Sequence, residues 1–305
     1  MGSLSERQLL WVDVERDEGG PPEGLAKTLG LDPRDVAALG DEPGRRPRLR
    51  RPRLRRSEER LIVTLHALEP DDGKPPKLNQ REVELLAGSN LVVTVHKGRI
   101  QALERFVREL DGDSRIGALS AADLLSSLAD EVIAGYFRIV ELIEREIDEL
   151  DQRALRALPE DDVLAAIVAL RRRVSLVRRT ITQHRDALAA LGRPEMQVED
   201  LIGTPWEGLG DRLERAIDAV GALRDALLGT YEVYMGRTAQ RANDTMKALT
   251  VLSAVLLPAV VLAGVMGMNF KLRFFEDASN VWYVLAAMVL LAITILGVAR
   301  WRHWI

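Results

Sequence analysis

The 305-residue chain contains no cysteine, and aromatic residues make up only 5% of it. The missing cysteines exclude disulfides, thiolate metal sites and cysteine nucleophiles, and they fit a reducing compartment. Histidine is nearly as scarce. His66, His96, His184 and His303 are scattered and share no metal-ligand spacing. The chain has no glycine loop of the kind that cradles nucleotide phosphates, no paired catalytic carboxylates and no nucleophile–base set, so no enzyme and no enzymatic cofactor are expected. The first residues, MGSLSERQLLWVDV, lack a long apolar stretch, and no cleavable signal peptide is expected. No charge of one sign dominates either: 42 basic residues against 46 acidic ones leave a net charge of -4.

What is present is unevenly placed. Twenty-three uncharged residues run from Ala248 to Phe270, and 22 more from Ala278 to Ala299. A helix needs about 20 apolar residues to cross the hydrocarbon core of a bilayer, and both runs suffice. The break between them, Lys271 to Asp277, is too short for a folded domain, so the spans form a hairpin with both chain ends on one side. Arg237, Arg241 and Lys247 before the first span, with Arg300 and Arg302 after the second, place that side in the cytoplasm. Lys271 and Arg273 in the outer loop oppose this but are accompanied by Glu276 and Asp277. Trp282, Tyr283, Trp301 and Trp304 fall at interface depths. Pro258 removes one helix hydrogen bond from the first span. A two-span hairpin cannot enclose a pore alone, so transport requires several copies, and symmetry favours a ring.

Before the membrane, Leu9–Val14 and Arg60–Leu68 read as strands, and Arg81–Ala87 with Leu91–His96 as a hairpin. Short helices are expected near 22–29 and 33–39, and an amphipathic helix over Ile100–Leu110. Between them RRPRLRRPRLRR, residues 45–56, carries eight arginines. Such a run suits a nucleic-acid or headgroup patch. A solvated loop beside acidic neighbours is the preferred reading, and no nucleic-acid partner is expected. Long helices follow over Leu119–Leu158 and Asp162–Leu191. From about Trp206 the pattern runs without a proline to Pro258, with a coiled-coil-like seam of Leu213, Ile217, Val220, Leu227, Tyr231 and Tyr234. Asp211, Asp218, Asp225 and Glu232, seven apart, share one face of this helix: a cation-gathering row in a ring of copies, or a solvated stripe.

The expected architecture is an α/β domain (1–116), a helical stalk (117–246) continuous with the first transmembrane helix (247–268), a short outer loop (269–280), a second transmembrane helix (281–300) and a basic, aromatic tail (301–305). On the first span Asn243, Met246, Leu249 or Thr250, Ser253, Leu257, Val260 and Gly264 recur at threes and fours. They form one stripe, either pore-facing or packed against another span. In a pore, Asn243 and Ser253 offer polar rings, and Met246, Leu249 and Leu257 a constriction that gates by dewetting.

The span closes on Gly267-Met268-Asn269. This triplet at the end of the penultimate span, followed by a short loop, one more span and a basic tail, resembles the CorA family of divalent cation transporters. The wider stretch 243–270 and the overall layout resemble it too. The resemblance implies a funnel-shaped homopentamer in the inner (plasma) membrane with both termini cytoplasmic. It also implies Mg²⁺ or Co²⁺ influx through a ring of Asn269 side chains, with Asn243 at the cytoplasmic mouth, and regulatory metal between cytoplasmic domains. Asp71, Asp72, Glu207 and Asp211 lie in the regions where such metal would bind. The alternatives are proton-coupled Zn²⁺ transport of the related ZntB branch and a membrane-anchored scaffold without transport. Met266 stands where magnesium transporters usually have Tyr, Val260 where Thr is common, and Met268 where the zinc branch has Val. Neutral oxygens suit a hydrated Mg²⁺, which gives up its water reluctantly. A membrane potential supplies about 2.3 kcal/mol per charge per 100 mV, about 4.6 kcal/mol for a dication, without ATP.

Overall fold

The computed structural model describes residues 9–16, 24–39, 51–57, 60–71, 73, 76–110, 119–156, 162–190, 204–268 and 280–302. Two compact units emerge, Met1–Tyr231 and Glu232–Ile305. In the first, strands β1 (Leu10–Glu15), β2 (Arg53–Ser57), β3 (Arg60–Pro70), β4 (Leu78–Ala87) and β5 (Leu91–His96) form one sheet in the order β1-β5-β4-β3-β2. β1 runs parallel to β5, and the other pairs are antiparallel.

Alternation in the strands decides what covers each face. Val12 and Val14 of β1 turn to the side where Leu31, Val36 and Leu39 pack. These come from and around the short helices α1 (Leu25–Leu29) and α2 (Pro33–Ala38). Trp11, of opposite parity, meets Phe106 of α3 (Gln101–Leu110) edge-on at 5.7 Å. The other face also carries α4 (Ala121–Arg156), which lies against β3, β4 and β5. β3 is covered on both faces, which is why it reads as a nearly unbroken apolar run. The α/β segment and the helices after it therefore pack as one unit through Tyr231.

The Arg-rich segment differs from the expected loop. Residues 45–50 lie outside the described residues, but Arg53–Ser57 form β2, paired with β3 at the sheet edge. Leu54 turns inward while Arg55 and Arg56 stay exposed. An edge strand tolerates arginines because one side is solvated, and Pro52 sits just before the pairing begins.

β2 is shorter than its partner, and pairing ends at Arg53 opposite Thr64. The backbone of His66, two residues on, points to the same side and would lack partners. Two helix side chains take the place of the absent strand. The His66 N–H donates to His184 Nε2 at 2.8 Å, and the Tyr136 hydroxyl donates to the His66 carbonyl. His184 comes from α5 (Val163–Ala189), and its Nδ1–H donates to the Thr180 carbonyl at 2.7 Å. Gln80 Nε2 lies 2.7 Å from His66 Nδ1.

This hub carries a pH dependence. Burial pushes the His184 imidazole down to about 3, the His66 charge adds to that, and the Thr180 carbonyl acts the other way. An unfolded histidine titrates near 6.5. Below that pH the unfolded chain binds a proton that the folded one refuses, so stability is lost as pH falls from about 6.5 towards 3. The slope is about 1.4 kcal/mol per pH unit. Acidifying from pH 7.5 to 5 is expected to cost about 2 kcal/mol through this residue. Melting curves at both pH values should show the loss in the native protein and a smaller one in His184→Gln. An equal loss in both would assign it elsewhere.

The long helix α6 (Thr204–Met266) belongs to the first unit up to Tyr231. Its buried positions there are Trp206, Leu209, Leu213, Ala216, Val220, Leu223, Leu227 and Thr230. The spacing alternates fours and threes after Trp206–Leu209, a heptad seam. The seam differs from the expected one: Ala216 and Leu223 belong to it, whereas Tyr231 is 39% exposed. Arg212–Asp130 and Arg185–Glu214 tie α6 to α4 and α5.

Candidate ion-conduction site

The second unit holds the remainder of α6 and α7 (Asn280–Trp301). Both are long and apolar enough to cross a membrane. The charges of α6 stop at Asp244 and Lys247, which pair at 3.4 Å, and Leu, Val and Ala carry the helix onward. Thr250 hides its hydroxyl hydrogen in the Met246 carbonyl at 2.7 Å. Pro258 lies inside the helix and removes the N–H that would reach the Ala254 carbonyl.

At 100° per residue, the less exposed positions of α6 from Lys247 onward fall on one face: Lys247, Val251, Val255, Pro258, Ala259, Leu262 and Met266. Those of α7, Val284, Met288, Ala292, Ile295 and Ala299, also share one face. These are the faces the hairpin turns inward. The expected stripe of Asn243, Met246, Leu249, Ser253, Leu257, Val260 and Gly264 lies about 180° away on the same helix. Its members are exposed, with Met246 at 66%, Leu257 at 65% and Val260 at 67%. Packing within the chain therefore does not account for the periodicity of the stripe.

Met268 is 54% exposed, and Asn269 lies outside the described residues. The Gly267 N–H still donates to the Ala263 carbonyl at 3.0 Å, and the Met268 N–H tightens to the Val265 carbonyl at 3.2 Å. Gly267 is not among the glycines with positive φ, and a Cβ on it would meet only the Ala263 and Gly264 carbonyls at 3.5 Å, an ordinary contact. Through Met268 the helix therefore tightens in its last turn.

Of the four expected regulatory carboxylates, Asp71 and Asp211 fall among the described residues. Asp71 accepts backbone N–H groups from Gly73 at 3.0 Å and Lys77 at 2.6 Å, and so organises its own turn. Asp72 and the Glu207 side chain lie outside the described residues. Asp211 is exposed on α6 in the row with Asp218, Asp225 and Glu232. Among the described residues no three His, Asp or Glu side chains are grouped to hold a metal.

One polar cluster escaped the sequence reading. Asp13 and Glu15 of β1 stand in register with Thr94 and His96 of β5 on one face. Burial would raise the Asp13 carboxyl, but hydrogen bonds from His96 and Thr94 hold it below the ordinary carboxylate range. Burial would lower the His96 imidazole, and the Asp13 bond and charge hold it above the usual value. The only signal was i, i+2 polarity in two strands 80 residues apart.

A sheet-and-helix unit, followed by a unit of two helices long and apolar enough to cross a membrane, defines a two-span membrane protein. Comparison with known proteins narrows the class. The sequence model of the family described as "CorA-like Mg2+ transporter protein" matches residues 6–301, and the chain belongs to that family. It is similar to the "Cobalt/magnesium transport protein CorA" of Thermotoga maritima, 28% identical over 186 residues. That match covers 60% of this chain and about half (52%) of the Thermotoga protein. The protein of the same name from Methanocaldococcus jannaschii is 23% identical over 99% of this chain and 93% of its own length. The complete structure of that CorA magnesium transporter superposes with a TM-score of 0.78 at 22% identity, covering 98% of this chain and 92% of the other. The "Zinc transport protein ZntB" of Pectobacterium atrosepticum is 24% identical over 95% of this chain and 85% of its own length.

Proposed function

We propose that this chain passes hydrated divalent cations, Mg²⁺ or Co²⁺, inward across the plasma membrane, driven by membrane potential, as a ring of identical copies. The single observation behind this is the exposed stripe of α6, which turns away from α7. A hairpin leaves such a face bare, and a ring of hairpins turns it to a shared axis. Five copies, with both termini in the cytoplasm, agree with the layout of the family.

In that ring Asn269 amide oxygens hold the entering ion through its water shell. Carbonyls near Gly267 and Met268 add acceptors, and Ser253 and Asn243 form polar rings further in. Met246, Leu249, Leu257 and Val260 are the narrow apolar stretch, where a dry pore blocks and a wet one conducts. Small Gly264 lets neighbouring helices approach. No carboxylate or imidazole interrupts the stripe, and all-oxygen ligation suits hard ions over Zn²⁺.

Zinc–proton symport is the second reading, favoured by the ZntB likeness over nearly the whole chain. Purified protein in liposomes distinguishes the two. Mg²⁺ or Co²⁺ uptake that follows an imposed potential and ignores an imposed pH gradient is the expected outcome. Zinc uptake that rises with the proton gradient would replace this reading, and no flux of any of the three ions would leave only an anchored scaffold.

A further inference from the structure

Beside α3, the end of β1 and β5 opens on a cavity of about 460 Å³ lined by Asp13, Glu15, His96, Ile100, Leu103 and Glu104, among others. His66 and His184 are buried in the hub that closes β3, and His303 lies outside the described residues. Among the described histidines only His96 faces this cavity.

Its imidazole is held from behind. Nδ1 lies 2.7 Å from the Gly98 carbonyl, which can only accept, so Nδ1 carries the proton. Nε2 is thereby turned on the Asp13 carboxylate, 3.3 Å from Oδ1 and 3.4 Å from Oδ2. The carboxylate is oriented in turn. Trp11 Nε1–H donates to Thr94 Oγ1 at 3.2 Å, and Thr94 donates to Asp13 Oδ1, while Oδ2 faces His96 Nε2. Nearby Arg99 is engaged with Glu104.

The separation of Nε2 from the carboxylate is the telling quantity. A charge-assisted N–H···O bond closes to about 2.7–2.9 Å. Two ligands about 2.0–2.1 Å from one tetrahedral ion stand about 3.3–3.4 Å apart. The pair is spaced as neighbouring corners of a coordination tetrahedron, with the backbone-anchored Nδ1–H and the oriented carboxylate that metal-binding histidines characteristically have behind them.

We propose that Asp13 and His96 form a binding site for a borderline divalent transition-metal ion, Zn²⁺ or Co²⁺, with water in the remaining positions. A nitrogen ligand and a small coordination number select against Mg²⁺, which demands six oxygens. The site lies in the first unit and does not depend on the conduction reading, since its test measures binding and not flux.

Full-length protein in detergent is titrated with Co²⁺ in excess Mg²⁺, which occupies oxygen-only sites, and visible absorption is followed. The native protein should give a saturable, intense tetrahedral band that Zn²⁺ abolishes and further Mg²⁺ leaves alone. Asp13→Asn should weaken binding at least about 10-fold, Thr94→Val by about 10-fold, and His96→Gln should lose the band. Metal-free melting curves check that each variant is folded. Asp13 is partly exposed and carries the test if the His96 variant is not. No band in the native protein, or unchanged binding in folded Asp13→Asn, would reduce the cluster to a His–Asp ion pair.

Discussion

Replacing Asn269 with alanine is expected to reduce Mg²⁺ or Co²⁺ uptake into proteoliposomes by more than about 100-fold while leaving the assembled particle intact. An acceptor bond to an ionic partner is worth about 1.5–3 kcal/mol. A ring loses one such acceptor per copy, so two lost bonds already exceed a factor of 100. The side chain follows the last turn of α6, where the Gly267 and Met268 N–H groups already have carbonyl partners. Unchanged flux, or a variant that no longer sediments as the native oligomer, would remove Asn269 from ion selection.

The second large effect falls far from the conduction stripe. Tyr136→Ala is expected to destabilise the first unit by about 3–5 kcal/mol, the usual cost of emptying a large buried aromatic site. Tyr136 is fully buried, packs edge-on against the His184 ring at 5.7 Å and satisfies the His66 carbonyl. Tyr136→Phe keeps the volume and removes only the donor, so it should cost about 1–2 kcal/mol. For a unit of this size each kcal/mol moves the melting point by about 2–4 °C, so the alanine variant should melt about 10 °C lower. A shift below about 2 °C would mean that α4 and α5 do not close the edge of β3.

What the sequence made legible follows from periodicity. The two spans are plain because length against bilayer thickness decides them, and β3 and β5 because β-branched residues fill them. The stripe of α6 was legible because helical spacing fixes which residues share a face. It left open whether that face packs inside the chain, and only the positions of α7 oppose this. β2 was hidden by composition, since arginine and proline mask an edge strand whose pattern rests on Leu54 alone. The Tyr136–His66–His184 hub and the Asp13–His96 pair join residues 48 to 118 and 83 positions apart. Such meetings are set by strand order and helix placement, which no local pattern encodes.

The closure of β3 bears on how copies can associate. At His66 the outward N–H and carbonyl of β3 are already taken by side chains of α5 and α4, so a foreign strand finds no template at that position. The remaining outer strand on that side, β2, bears Arg53, Arg55 and Arg56, and two such strands brought together would set like charges in opposition. Strand exchange and fibrillar stacking through this flank are thereby discouraged, which steers assembly towards contacts between helices.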